Sequence, residues 1–250
     1  MKQSLAIILA LVLAVSALGA CSININIGGN ETQAATENSI IPGVELPTTE
    51  IPTSPELPTE VKVGKVDDYV ATAKEKELSF GDGNKNTLRI PEIKLDSADA
   101  KKVNAEIDKK FADVFASEKY AGIVKLDYEA YLNGSTLSVA VTAKIEGGNT
   151  DGLAYNFDVT SGKRLDNKAM CEVIGKDYDD MIDDIKDAME DSYNERFGQL
   201  PGNDTERAKT FAKENLEAST VYLNGQGDAM ALCMFYAAVG GGRFMTQVEL

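Results

Sequence analysis

Between Val124 and Ile145 the chain alternates apolar and polar residues with a period of two. Val124, Leu126, Tyr128, Ala130 and Leu132 interleave with Lys125, Asp127, Glu129 and Tyr131. Leu137, Val139, Val141, Ala143 and Ile145 repeat the pattern after Asn133-Gly134. Side chains on a strand point alternately to its two faces, so each run buries one face. Asn-Gly supplies the positive φ angles of a tight two-residue turn, so the two runs are expected to form an antiparallel hairpin. Gly147 to Gly152 reads as the next turn, and Leu153, Tyr155, Phe157 and Val159 as a third strand closed by Ser161-Gly162. A three-stranded antiparallel sheet needs something on its apolar face, and this sets the fold.

The rest of the pattern supplies the cover. Ala100, Val103, Ile107, Phe111, Val114 and Phe115 recur at spacings of three and four, the mark of an amphipathic helix, with Ser97 as its N-cap. Tyr178, Met181, Ile182, Ile185 and Met189 make a second stripe, and Ala208, Phe211, Ala212 and Leu216 a third over 205–216. Strands are expected over 69–80, 87–93, 220–223, 230–238 and 243–248. Pro91 lacks an amide donor and calls for an edge or a bulge. Ala229 to Val239 is apolar throughout, which suits a central strand. The expectation is an α+β fold over 62–250: an antiparallel sheet with helices packed on one face, in two halves of about 62–120 and 121–250.

The N-terminus carries a different kind of signal. After Lys2, Leu5 to Leu18 is an almost unbroken apolar run of 14 residues, too short to span a bilayer as a helix and suited to a signal-peptide core. It ends in Leu18-Gly19-Ala20-Cys21. This resembles the lipobox of bacterial lipoproteins, which implies cleavage after Ala20, acylation of the Cys21 thiol and a lipid bilayer as partner. The expected place is the cell membrane, on its extracytoplasmic face. Residues 21–61 read as the lipidated cysteine and a tether. Five of the seven prolines lie between Pro42 and Pro58, among Thr, Ser and Glu, and no Lys or Arg occurs from Ser22 to Val61. Such a segment lacks the apolar surface to fold, and its prolines favour extended polyproline II.

Composition narrows the chemistry. The net charge is −15, with 25 basic against 40 acidic residues, which argues against nucleic acid. There is no histidine, which removes Ser-His-Asp and Cys-His nucleophile systems and every His-ligated metal site. No cofactor or metal site is expected. Asp177, Asp179, Asp180, Asp183, Asp184, Asp187, Glu190 and Asp191 keep helical spacing, so their carboxylates diverge. They read as a solvated helix face, with a basic protein partner or a cation as alternatives. Cys171 and Cys233 remain once Cys21 is assigned, and two readings stand: an extracytoplasmic disulfide, or two small buried hydrophobes. Gly240-Gly241-Gly242 reads as a tight connection, with Arg243 beside it a candidate for gripping a carboxylate or phosphate. The expectation is no enzyme. The alternatives are an envelope hydrolase working with carboxylates and a purely structural lipoprotein.

Two stretches carry a family resemblance. Leu88-Arg89-Ile90-Pro91-Glu92-Ile93-Lys94-Leu95, followed by Val103-Asn104-Ala105-Glu106-Ile107, is similar to a strand that runs into a helix with an Asn-x-x-Ile motif. Tyr155-Asn156-Phe157-Asp158-Val159-Thr160-Ser161-Gly162-Lys163-Arg164-Leu165 resembles the opening of a second half. These paired domains of unknown function occur in ectodomains of lysozyme-sensing anti-sigma factors of the RsiV type, and ahead of the catalytic domain of some peptidoglycan deacetylases. The resemblance implies a non-catalytic binding or sensing module whose partner is a basic, lysozyme-like protein or peptidoglycan. An aromatic anchor on the 123–160 strands is then expected, with Tyr131 first because it lies on the polar face of its strand. The chain departs from its relatives in two ways. Gly147-Gly148-Asn149-Thr150 lacks the histidine of the corresponding turn, and no internal transmembrane helix is present to carry an anti-sigma mechanism.

Overall fold

The computed structural model describes residues 64–79, 85–116, 122–198, 204–238 and 242–250. All lie in one compact unit, Glu56–Leu250. The signal peptide, Cys21 and the tether expected over 21–61 fall outside the described residues.

The described chain runs α1 (Val66–Tyr69), β1 (Val70–Ser79), β2 (Lys85–Ile93), α2 (Ala98–Ala116), β3 (Ile123–Asn133), β4 (Thr136–Ile145), β5 (Thr150–Asp158) and β6 (Lys163–Leu165). It continues with α3 (Asn167–Ile174), α4 (Tyr178–Phe197), α5 (Asp204–Thr210), α6 (Lys213–Glu217), β7 (Thr220–Leu223), β8 (Ala229–Tyr236) and β9 (Arg243–Glu249). The class is α+β. The strands divide between two sheets rather than forming one: β1 to β6 make a six-stranded sheet in sequence order, and β7-β8-β9 a three-stranded one. Every pairing is antiparallel except β2–β3, which is parallel and registers only Leu88 with Leu126.

The layers follow from side-chain alternation. On β4, Leu137, Val139, Val141 and Ala143 join the stripe of α2, Ala100, Val103, Ile107, Phe111 and Val114, in one buried cluster. Ala140 on the opposite face joins Ala154, Tyr222 and Leu232 between the two sheets. The far face of the small sheet, through Val221, Ala231, Cys233, Phe235 and Phe244, meets Met170 of α3 and Met181, Ile185, Met189 and Tyr193 of α4. The order of layers is therefore α2, large sheet, small sheet, α3 to α6. Helices cover both outer faces of the stack, and the polar face of the hairpin is covered only in part, around Tyr131, Ser138 and Ala140, while Lys125 and Glu129 on the same face stay exposed.

Several local expectations hold. Ser97 caps α2, its Oγ accepting from the amide of Ala100 at 3.1 Å. Asn104, to which sequence reasoning assigns no role, clamps α2 to the end of β2: its Oδ1 accepts from the Ile93 amide and its Nδ2 donates to the Ile93 carbonyl, both at 2.9 Å. Pro91 pairs with Thr72 beside a bulge at Ala73, so its missing amide leaves no gap in a regular ladder. β8 is the centre of its sheet.

Two expectations shift. Asn133 pairs with Thr136, so the hairpin loop is Gly134-Ser135, with Gly134 at φ 58°. The helix expected over 205–216 breaks after Thr210 into α5 and α6. The break is built by side chains. Thr210 Oγ1 donates to the Glu206 carbonyl at 2.9 Å and accepts from the Tyr236 amide at 3.1 Å. Asn215 Nδ2 donates to the carbonyls of Thr210 and Met234, both at 2.8 Å. β7 pairs with β8 only as far as Leu232, so Thr210 and Asn215 bond β8 backbone that has no strand partner on that side.

Candidate functional site

Neither ligand-binding candidate from the sequence lines any of the cavities described among these residues. Tyr131 is half-buried rather than exposed. It shares a sheet face with Ser138, its cross-strand partner, and the β7–β8 turn covers that face. A Cβ placed on Gly225 would stand only 3.2 Å from the Tyr131 ring. Burial, with the nearby Glu129 carboxylate, raises the Tyr131 pKa. Arg243 is exposed at the start of β9, paired with Tyr236. Tyr131 lies beside the turn that leads into β8, and Arg243 beside its last residue. Seven steps of strand at ~3.3 Å put those two ends roughly 23 Å apart, so the fold does not bring the two candidates together.

Cys171 and Cys233 are free thiols, not the disulfide that was one of the two readings. Cys171 Sγ lies 3.3 Å from Met181 Sδ. Cys233 points from mid-β8 into the same cluster, and burial pushes its thiol up to about 12. Both pack as small hydrophobes against methionine and aromatic neighbours. The acidic run is the outer face of α4: Asp177 caps its N-terminus, Asp184 pairs with Lys176, and Glu190 with Arg207. Among the described residues no cluster of carboxylates or thiols is arranged to hold a metal ion. No helix among them is long and apolar enough to cross a membrane.

The structure instead forms a cleft of about 360 Å³ where β5 and β6 meet α3 and the α6–β7 connection. Ala154, Tyr155 and Ser219 give it a buried floor, and Arg164, Asp166, Lys168 and Glu217 an exposed charged rim. Tyr178, half-buried, closes one wall.

Each wall is fixed by a specific contact. The Arg164 guanidinium stacks 4.8 Å from the Tyr155 ring centroid and lies 3.6 Å from Glu106 of α2. Tyr155 donates from its hydroxyl to the same Glu106 oxygen at 3.3 Å. The Arg164 amide donates to Asp99 at 2.9 Å, tying β6 to the start of α2. Asp166 caps α3 by accepting from the Ala169 amide at 3.0 Å. Asn167 clamps the strand opposite, donating to the Ser219 carbonyl at 2.7 Å and accepting from the Val221 amide at 3.1 Å. Lys168 rides 5.6 Å over the Tyr178 ring and has no ion-pair partner among the described residues. Among the described residues Glu217 pairs only with Lys213, at 3.7 Å.

The electrostatics follow. Burial raises the Tyr155 pKa to about 12, helped by Glu106 and opposed by Arg164. Burial also raises Tyr178, with the carboxylates of Glu217 and Asp166 adding to it. Both phenols are therefore neutral donors at physiological pH, set among two cations and two carboxylates. Single-sequence reasoning did not find this cleft, because its lining is spread over 154–220. One signal was present: Tyr155, Arg164 and Leu165 all lie in the second stretch that carries the family resemblance.

No family model matches the chain, and no curated protein matches it. Among solved structures the chain is similar to a Bacteroides fragilis protein described as a member of the DUF3298 family. That similarity has 9% identity and a TM-score of 0.32, and covers 72% of this chain and 89% of that one.

Proposed function

We propose that this chain is a lipid-anchored extracytoplasmic module that binds an envelope ligand without transforming it. The observation that carries the reading is the run from Leu5 to Leu18 ending in Leu18-Gly19-Ala20-Cys21, which puts a cysteine at the one position that lipidation requires. The cleft between β6, α3 and α6 supports the binding half of the reading. It has a preformed floor, fixed walls and polar groups that converge on one space, the usual build of a small-ligand site. Cys21→Ala is expected to move the protein out of the detergent phase, as precursor or into the medium. Retention of the variant in the detergent phase with unchanged processing overturns the anchor. For binding, purified peptidoglycan fragments and a basic lysozyme are the probes, each at low and at physiological salt. Lysozyme attraction that vanishes with added salt is charge alone, since the acidic α4 face draws any basic protein.

A second reading, an envelope carbohydrate hydrolase, is favoured by one observation: Asp166 and Glu217 line the same cleft. Such enzymes work with a facing carboxylate pair. Asp166 is already engaged as the cap of α3, which supports binding over hydrolysis. Release of reducing ends from peptidoglycan, abolished by Glu217→Gln, would replace the first reading with the second.

A further inference from the structure

We infer that the cleft recognises a small zwitterion of the peptide class: a free carboxylate at one end, a free ammonium at the other, and a short backbone between. This deepens the binding reading above and rests on it.

The argument starts from charge. The rim carries two cations, Arg164 and Lys168, and two carboxylates, Asp166 and Glu217, around one space of about 360 Å³. A purely anionic ligand would meet both carboxylates, and a purely cationic one both cations. A ligand with one charge of each sign suits both, its ammonium falling to Glu217 because Asp166 already caps α3. The cations are not spent on each other's partners. Among the described residues Lys168 pairs with no carboxylate and touches only the Tyr178 ring. Arg164 Nη1 lies 3.6 Å from Glu106, longer than a hydrogen bond, and its guanidinium carbon stands 4.8 Å over the Tyr155 ring. A guanidinium placed over a ring keeps its N–H donors for a fork-like bond to a carboxylate.

Size supports the same ligand. Small-molecule pockets run from roughly 300 to 1,000 Å³, so this cleft sits at the low end and takes a few residues rather than a folded partner. The floor suits a peptide backbone, which needs both donors and acceptors. The Tyr178 hydroxyl has no hydrogen-bond partner among the described residues and can donate or accept, whereas the Ser219 hydroxyl and carbonyl in the same lining are taken by Asn215 and Asn167.

The test uses the full chain in detergent, titrated calorimetrically with free trialanine, with trialanine acetylated at its N-terminus, and with trialanine amidated at its C-terminus. Free trialanine is expected to bind. Blocking either end is expected to weaken it about tenfold or more, the worth of one charge-assisted contact. Lys168→Met is expected to weaken the free peptide and leave the amidated one unchanged. Glu217→Gln is expected to do the same for the free and acetylated forms. Arg164→Gln should follow Lys168→Met, and Lys168→Met keeps the test valid if the Arg164 variant loses the Tyr155 stack. Equal binding of blocked and free peptides overturns the inference, as does no binding of any of them. Chitotetraose run alongside separates the two proposals: saccharide binding without peptide binding removes the zwitterion and leaves an envelope ligand in place.

Discussion

The large sheet is held on its two faces by opposite chemistry. Against α2 it is sealed by aliphatic and aromatic side chains: Leu88, Ile107, Phe111, Leu126, Val139 and Phe157, all fully or almost fully buried. Against the small sheet the apolar contact is modest, mainly Ala140, Ala154, Tyr222 and Leu232. There, buried polar side chains complete the backbone of β7. Asn156 Nδ2 donates to the Val221 carbonyl at 2.6 Å, Ser138 Oγ accepts from the Leu223 amide at 3.1 Å, and Ser138 donates to Asn156 at 2.8 Å. With Asn167 on the Val221 amide, the edge of β7 that faces away from β8 is occupied by side chains. An open edge invites pairing with other chains, and this one is closed from within. One face uses area and the other uses hydrogen-bond matching, which demands a single relative placement of the sheets.

The comparison predicts its own rank order. Phe111→Ala on the α2 face should cost about 3–5 kcal/mol, because it removes a fully buried ring and leaves a cavity. The shift in urea midpoint at constant slope measures it. A loss below 1 kcal/mol would mean that α2 is not the main seal.

On the other face, Asn156→Ala should cost about 2 kcal/mol, since the Val221 carbonyl then lies buried without a donor. Ser138→Ala should cost less, and the double variant should fall short of the sum by about 0.5 kcal/mol or more, because the two side chains bond each other. Strict additivity would show that the hydrogen bonds do not act as a unit.

Each face also carries one buried tyrosine, and pH separates them from the rest of the core. Tyr155 packs on the α2 face with its pKa raised to about 12. Tyr222 lies between the sheets and is raised further by burial, with Glu129 and Tyr131 adding to the effect. An unfolded tyrosine ionises near pH ~10. The folded groups ionise later, so the unfolded state gains first. Their contribution to stability is complete below about pH 10 and is lost as the pH rises towards 12. Tyr155→Phe should flatten part of that fall in a series of denaturation curves. An unchanged slope between pH 10 and 12 would assign the fall to other groups.

The contrast explains what could be read before the structure. Apolar periodicity reports area, so the α2 stripe, the hairpin strands and the α4 stripe all emerge where expected. Hydrogen-bond matching leaves no periodic trace. Asn156, Ser138, Asn167 and Asn215 look like ordinary surface residues in a sequence, and each proves to complete a strand edge. The division into two sheets depends on those residues, so it was not legible. The misplacement of Tyr131 follows directly: a polar-faced strand position looks solvent-exposed until a second sheet covers it. The break after Thr210 was hidden for the same reason, because Thr210 and Asn215 act through β8 and not along their own helix. The cleft was missed because it assembles from β5, β6, α3, α4 and the α6–β7 connection, which clamps such as Asn167 bring together.

The smallest expected effect tests whether side chains also stitch a thin point within the large sheet. The parallel β2–β3 junction registers only Leu88 with Leu126, so the ladder there is sparse. Arg89 spans it, donating to Asp127 Oδ1 from Nε at 3.0 Å and Nη2 at 2.7 Å, and Asn86 Nδ2 donates to the Val124 carbonyl at 2.6 Å. The Arg89 guanidinium also stands 5.5 Å over the Tyr128 ring, and Asp127 raises its pKa. Both side chains are about a third exposed, at 38% and 30%. Solvent screening therefore limits the pair, and Asp127→Asn should cost less than about 1 kcal/mol. The loss should shrink further in added salt, which screens a surface pair more than a buried one. A cost of 2 kcal/mol or more that is insensitive to salt would place this junction with the β7 edge, as a point where hydrogen-bond geometry rather than charge joins the strands.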